Sequence, residues 1–247
     1  MLRAGGCVNA EEEAVELWRA FPVGDEVRRD AATARRLAGE PLAWVCGTIE
    51  VGGRRLHVEP GAYVPRRWQT PAIAGAASAR LPGGGTLVDL CTGVGTVAAL
   101  VLGADPRARV LGTDVDPVAV RCARRNGVDA LEGDLFGPLP AELVHRVDVV
   151  TAVAPYVPTG SLRLLPPDTL AHEPGGALDG GQDGLVVIRR IAAEAPGWLR
   201  PGGWLVVELG PDQARAFTTL LSSDGWRDVA AVVDPDGDAC GIVARWG

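Results

Sequence analysis

The stretch VDLCTGVGTVAAL, residues 88–100, decides the fold. It opens on the end of a short apolar run, TLVDL, that reads as a buried strand. Gly93 and Gly95 follow almost at once, and TVAALVLG then reads as a helix. A strand, a Gly-rich turn and a helix in that order predict one unit of a parallel α/β sheet, with the turn at the sheet's carboxyl edge. Glycines let a backbone approach a ligand closely, and a helix start offers free N–H groups.

The same rhythm runs outward from this unit. ARVLGTD (108–114) reads as a second strand, followed by the helix PVAVRCARRNG with Pro117 in its first turn. DALEGD (129–134) and VDVVTAVAP (147–155) read as the third and fourth strands. GLVVIRRIAAEAPGWL (184–199) predicts an amphipathic helix, WLVVELG (204–210) a fifth strand and DQARAFTTLLSSDG a helix. DVAAVVD and CGIVARW are joined only by the turn DPDGDA, so they must pair antiparallel.

Upstream, Glu11 to Phe21 and Asp25 to Leu37 predict two helices broken by Pro22 and Gly24. TIEVGGRRLHVEP (48–60) alternates around Gly52-Gly53 as a β-hairpin does. The expected fold class is therefore α/β: a doubly wound, Rossmann-like sheet with an antiparallel last strand, plus a small N-terminal helical region and a β-hairpin. The expected organisation is a helical region over 1–45, hairpin and linker over 46–80, and the sheet domain over 81–247. Residues 157–184, rich in Pro and Gly, predict a long functional loop covering the site.

Of the 247 residues 47% are apolar, enough for a full core. The net charge is −7, and every one of the 24 basic side chains is Arg. An acidic chain argues against a nucleic-acid partner. No run of 18 apolar residues suggests a membrane span, and MLRAGGCVNAEEE has no apolar leader segment. Cys7, Cys46, Cys91, Cys122 and Cys240 form no Cys-x-x-Cys pair. No metal site or disulfide is expected, and a reducing cytoplasm fits.

Acids and glycines at successive strand ends predict a nucleoside pocket. Asp114 stands 25 residues after Asp89, where a carboxylate can accept both ribose hydroxyls, while Asp116 serves better as the cap of the following helix. Asp134, or the Leu135 backbone, would meet an adenine edge. Ala98 stands three residues after Gly95, which a dinucleotide fingerprint also permits, so spacing alone leaves NAD and S-adenosylmethionine both open.

Four motifs occur in order: GEPLAWVCGTIEVGGRRLHVEPGAYVPRR (39–67), VDLCTGVGT, TAVAPYVP (151–158) and HEPGGALDGGQDGL (172–185). As a set they resemble the HemK/PrmC-like protein-glutamine N-methyltransferases, which modify the Gln of a Gly-Gly-Gln loop in peptide release factors, and within them an actinobacterial branch of unassigned substrate. The resemblance runs from about Gly39 to the C-terminus. It implies a methyltransferase using S-adenosylmethionine and releasing S-adenosylhomocysteine. The candidate cofactor contacts are Asp89, Cys91, Thr92, Gly93, Val94, Gly95, Asp114, Val115, Asp134, Leu135 and Val153. Arg66, Val153, Ala154, Pro155 and Tyr156 are the candidate acceptor contacts. Tyr156, as a pocket wall, and His172, as a base poised near neutral pH, are the catalytic candidates.

The departures from the family pattern matter as much. The family's Asn-Pro-Pro-Tyr, or Asn-Ala-Pro-Tyr in that branch, is Val153-Ala154-Pro155-Tyr156 here. The family Asn holds the acceptor amide N–H with its side-chain carbonyl, and Val has neither donor nor acceptor. Losing that partner costs about 1–3 kcal/mol. Thr151 lies on the same side one rung deeper, a poor place from which to substitute. The usual Thr-Glu after the Pro-Arg motif is Gln69-Thr70, and the first glycine of the cofactor turn is Cys91. Cofactor binding is expected to be kept and the acceptor changed, to a small molecule offering oxygen, nitrogen or carbon. An apolar Val153 suits carbon or an acidic oxygen. The alternatives are glutamine-amide methylation with Val153 tolerated, and a cofactor-binding module without turnover. The acceptor is then a small molecule or a protein, with no nucleic acid or membrane partner, and the oligomeric state is left open.

Overall fold

The computed structural model describes residues 2, 3, 7 and 9–247. Positions 1, 4–6 and 8, part of the stretch read as free of a leader and of the 1–45 region, lie outside the described residues.

The strand read first from the sequence is β3 (Thr86–Leu90), an interior strand, third of the seven in the main sheet. β4 (Arg109–Asp114) and β5 (Asp129–Glu132) extend the sheet in parallel on one side of it. β6 (Val147–Ala152) and β7 (Leu199–Glu208) extend it in parallel on the other. β9 (Ala239–Trp246) inserts between β7 and β8 (Trp226–Val233), antiparallel to both, as the short connection demands. The chain reverses direction of travel between β3 and β6, so their carboxyl ends bound a crevice where such folds bind ligands.

Two packed layers cover the sheet. One face carries α4 (Gln69–Ser78), α5 (Thr96–Ala104) and α6 (Pro117–Arg125), together with the hairpin β1 (Thr48–Val51) and β2 (Arg54–His57). The other carries α8 (Val186–Glu194) and α9 (Pro211–Ser223). Every residue of β6 is buried, which is why VDVVTA reads as a continuous run rather than an alternation. In the hairpin, Gly52 and Gly53 both have positive φ (55° and 75°), the backbone of a two-residue type I′ turn.

The N-terminal helices are α1 (Ala10–Ala20) and α2 (Glu26–Leu37), joined to the rest by α3 (Leu42–Cys46). Four elements depart from the pattern read in the sequence. Pro196 shortens the helix expected over 184–199 to α8 and one 3₁₀ turn. β7 begins five residues earlier than expected, at Leu199, and runs through Pro201-Gly202-Gly203. The stretch expected as a linker holds α4, with Thr70, Ile73, Ala74 and Ala77 buried. Its small, Ala-rich faces carry no clear helical period, which hides it from a periodicity reading. The 157–184 segment is not structureless: it holds a 3₁₀ stretch at Thr159–Leu164 and α7 (Pro167–His172). No helix among the described residues is long and apolar enough to cross a membrane.

Candidate functional site

The crevice between β3 and β6 opens into a cleft of about 340 Å³, its mouth included. Its floor is the glycine turn. Gly93 has φ 56° and open space where a side chain would stand. Gly95 has φ 82°, and a Cβ there would come within 2.9 Å of Val128 and 3.2 Å of Ala123. A side chain at 95 would thus push the turn off α6. Cys91 and Leu135 both have positive φ, at 50° and 46°. Strained backbone at two of the expected cofactor positions is the kind of cost that clusters at functional sites.

Asp89 lies under this turn, 1% exposed. Thr92 donates its hydroxyl to Asp89 Oδ2 at 2.5 Å, and Thr151 donates to Oδ1 at 2.6 Å across the β3–β6 line. Burial pushes the Asp89 carboxyl up to about 6 against the opposing effect of those hydroxyls. The Thr151 hydroxyl, considered as a stand-in for the missing Asn, is therefore already committed to Asp89. Asp114 accepts from Gly93 N–H at 2.8 Å and from Asp116 N–H at 2.9 Å, and burial raises its carboxyl above the usual range. Asp116 caps α6 by accepting from Val118 N–H at 2.8 Å. Val115 is an exposed apolar side chain beside Asp114 at the rim. Thr96 Oγ1, in the first turn of α5 and lining the cleft, is buried with no partner among the described residues. An unpaired buried hydroxyl beside a glycine turn and a ribose-type acid fits the polar end of a nucleoside-linked amino acid.

The expected residues do not all converge. Asp89, Cys91, Thr92, Gly93, Val94 and Val153 line one cleft. Asp134 faces solvent instead and pairs with Arg190 at 2.6 Å. Burial raises the Cys91 thiol far above its usual value, so it is a small packing residue rather than a thiolate. His172 packs edge-on against Trp44, with ring centroids 6.0 Å apart, and its Nδ1 lies 3.0 Å from the Asp168 carbonyl. Those contacts engage the ring in the fold of the 157–184 segment. Its neighbour Glu173 is the residue that turns toward the site. Glu173 takes both guanidinium branches of Arg66 at 3.1–3.2 Å and the Val64 N–H at 3.4 Å. Arg66 also stacks over Tyr63, 4.7 Å from the ring centroid. The segment is thereby clasped to the stretch whose Tyr63 and Pro65 wall the cleft.

One acid escapes the sequence reading. Glu208 ends β7 and is 1% exposed. β6 and β7 are in register at Thr151–Val206 and Ala152–Val207, and that register continued one residue past the end of β6 brings Val153 level with Glu208. Alternation puts Thr151, Val153, Val206 and Glu208 on one face. Tyr156 donates its hydroxyl to Glu208 Oε1 at 3.2 Å, while Oε2 makes no hydrogen bond of ordinary geometry among the described residues. Burial pushes this carboxyl up to about 7, opposed by Tyr156, Arg66 and Thr70. Burial also drives the Tyr63 and Tyr156 phenols well above their usual value. The signal was available: in WLVVELG, Glu208 shares parity with Trp204 and Val206, which points it inward. Asn126 went unread as well. Its amide donates to Val94 O at 2.8 Å and to His57 O at 3.0 Å, and accepts from His57 N–H at 2.7 Å, pinning the hairpin to the glycine turn.

A release factor glutamine methyltransferase of Geobacter sulfurreducens is 38% identical to this chain over 210 residues, covering 83% of this chain and 72% of that protein. A 4-amino-L-phenylalanine/4-methylamino-L-phenylalanine methyltransferase of Streptomyces pristinaespiralis is 37% identical over 222 residues, covering 85% of this chain and 75% of that protein. Among solved structures, the 16S rRNA N2 G1207 methyltransferase of T. Thermophilus, in complex with AdoMet and guanosine, matches with a TM-score of 0.53 over 81% of this chain and 44% of that chain. Its 20% identity makes that a likeness of fold. No protein-family model matches the chain.

Proposed function

The chain belongs to the release factor glutamine methyltransferase family, and from that premise we propose that it methylates a small molecule rather than the release-factor glutamine. It is an S-adenosylmethionine-dependent methyltransferase. The observation that carries the proposal is Val153. It stands on the cleft wall at the position of the family Asn, and the hydroxyl nearest in register, Thr151, is bound to Asp89. The site therefore offers no carboxamide to hold a glutamine amide. The named activity of the Streptomyces pristinaespiralis relative gives the precedent: the shared scaffold serves a free amino acid there.

In this reading S-adenosylmethionine supplies an electrophilic methyl group. The protein's own part is binding and aim. Asp114 would exchange its bonds to the turn for ribose hydroxyls. The Gly93 backbone and the unpaired Thr96 hydroxyl would receive the amino-acid end of the cofactor. Val115 would pack on the adenine, and the clasped 157–184 segment would exclude water.

Labelled S-adenosylmethionine, a release factor with its Gly-Gly-Gln loop and a mixture of free amino acids and amines test it together. Label is expected in the low-mass fraction. Label confined to the release factor would restore glutamine methylation, the second reading, which the naming of the Geobacter sulfurreducens relative supports.

A further inference from the structure

The neighbour of Val153 changes what the acceptor site can hold. Glu208 stands level with it when the β6–β7 register is continued one residue past Ala152, on the same sheet face and about one strand spacing, roughly 5 Å, across. One carboxyl oxygen takes the Tyr156 hydroxyl. The other is buried and makes no hydrogen bond of ordinary geometry, with only the Thr70 hydroxyl close enough to favour its charged form. Its surroundings are shared with the cleft, because Thr70 and Tyr63 both stand near this carboxyl and both line the cleft. A buried polar oxygen without a partner is uncommon and calls for a ligand or a functional use.

We infer that Glu208 Oε2 receives an N–H of the methyl-accepting group, so that the acceptor is an amine. This rests on the methyltransferase reading and deepens the small-molecule one. An apolar Val153 alone admits carbon or an acidic oxygen, but a carboxylate beside it repels a phenolate or carboxylate acceptor. An amine N–H is attracted, and the hydrogen bond to a charged partner fixes the direction of the nitrogen lone pair. Transfer forms the N–CH₃ bond as the methyl–sulfur bond breaks and leaves its electron pair on sulfur. The extra proton on nitrogen passes to Glu208 Oε2 and then to solvent. Tyr63 and Tyr156 wall the acceptor and stay protonated, because burial raises both phenols.

The other groups facing Glu208 do not titrate near neutrality. Arg66 is raised, and the Cys240 thiol is pushed up to about 11. Glu208, pushed up to about 7, is the group that changes charge there. Its carboxylate form is present above that pH and lost below it.

The test is binding, not turnover. Sinefungin is a cofactor analogue that carries a primary amine where the transferable methyl stands. Its Kd and that of S-adenosylhomocysteine are measured by calorimetry at pH 6 and pH 8, with the wild type and with the isosteric Glu208→Gln variant. At pH 8 the wild type is expected to prefer sinefungin at least tenfold. Glu208→Gln should lose most of that preference while S-adenosylhomocysteine stays within twofold, and the wild-type preference should shrink at pH 6. A sinefungin preference that Glu208→Gln leaves unchanged, or no preference at pH 8, overturns the inference. Failure of the wild type to bind S-adenosylhomocysteine is a different result, against the proposed cofactor site rather than the amine. Loss of S-adenosylhomocysteine binding by Glu208→Gln alone would also overturn the inference, by making Glu208 part of the cofactor site.

Discussion

The cleft has two halves built on opposite principles. At the ends of β3 and β4 both acids are already satisfied, Asp89 by two hydroxyls and Asp114 by two backbone N–H groups, and the groups left unpaired are the Thr96 and Thr113 hydroxyls. At the ends of β6 and β7 an apolar Val153 is level with the Glu208 carboxyl, one oxygen of which is buried without a hydrogen bond of ordinary geometry. The acids of the first half hold the glycine turn in place without a ligand, while a buried carboxyl oxygen in the second has no ordinary partner, which costs stability. In the proposed reading the first half keeps the cofactor and the second selects the acceptor.

The largest expected effect tests the scaffold. Asp89→Ala strands the Thr92 and Thr151 hydroxyls inside the sheet and should cost about 4 kcal/mol of unfolding free energy, at about 1–3 kcal/mol per unsatisfied group. Urea denaturation measures it. A loss under about 1 kcal/mol would mean that Asp89 does not organise the turn.

Glu208 should show the opposite sign. Its folded value of about 7 lies above the ordinary 4.5. Its contribution to stability is thus full below pH 4.5 and lost as pH rises through 7. Glu208→Gln removes that dependence. The variant's stability relative to wild type should rise by about 3 kcal/mol between pH 4.5 and pH 8, at about 1.4 kcal/mol per unit. Asp89 titrates in both proteins and cancels. A flat difference across that range would show Glu208 to be exposed or paired.

Two smaller effects sharpen the division. Asp114→Ala should weaken S-adenosylhomocysteine binding by about 2 kcal/mol, through lost ribose bonds and a loosened Gly93 turn. Val153→Asn should leave cofactor affinity within about tenfold, since roughly one hydrogen bond is at stake. Calorimetry decides both. A large cofactor defect in Val153→Asn would erase the boundary between the halves.

The two halves were also unequally legible. The strand–turn–helix at 86–104 shows in the sequence because its glycines and apolar runs are local signals. β9 was placed antiparallel from the length of one turn. The position of Asp134 at a strand end says nothing of Arg190, 56 residues away, with which it pairs. α4 is hidden in the sequence because an Ala-rich helix buried on several faces shows no stripe. Glu208 sits inside a strand-like run with no local sign of its role. Its meaning depends on Val153 standing beside it, and the pairing of two strands some 50 residues apart appears only when the sheet is assembled.

The central claim, a kept cofactor half and a changed acceptor half, meets its most direct test in one spectrum. A release factor with an unmethylated Gly-Gly-Gln loop is incubated with the enzyme and S-adenosylmethionine, under conditions where cofactor binding has been verified by calorimetry, and its intact mass is measured. The account predicts an unchanged mass. A gain of one methyl group on that glutamine, at a stoichiometry approaching one, would contradict it.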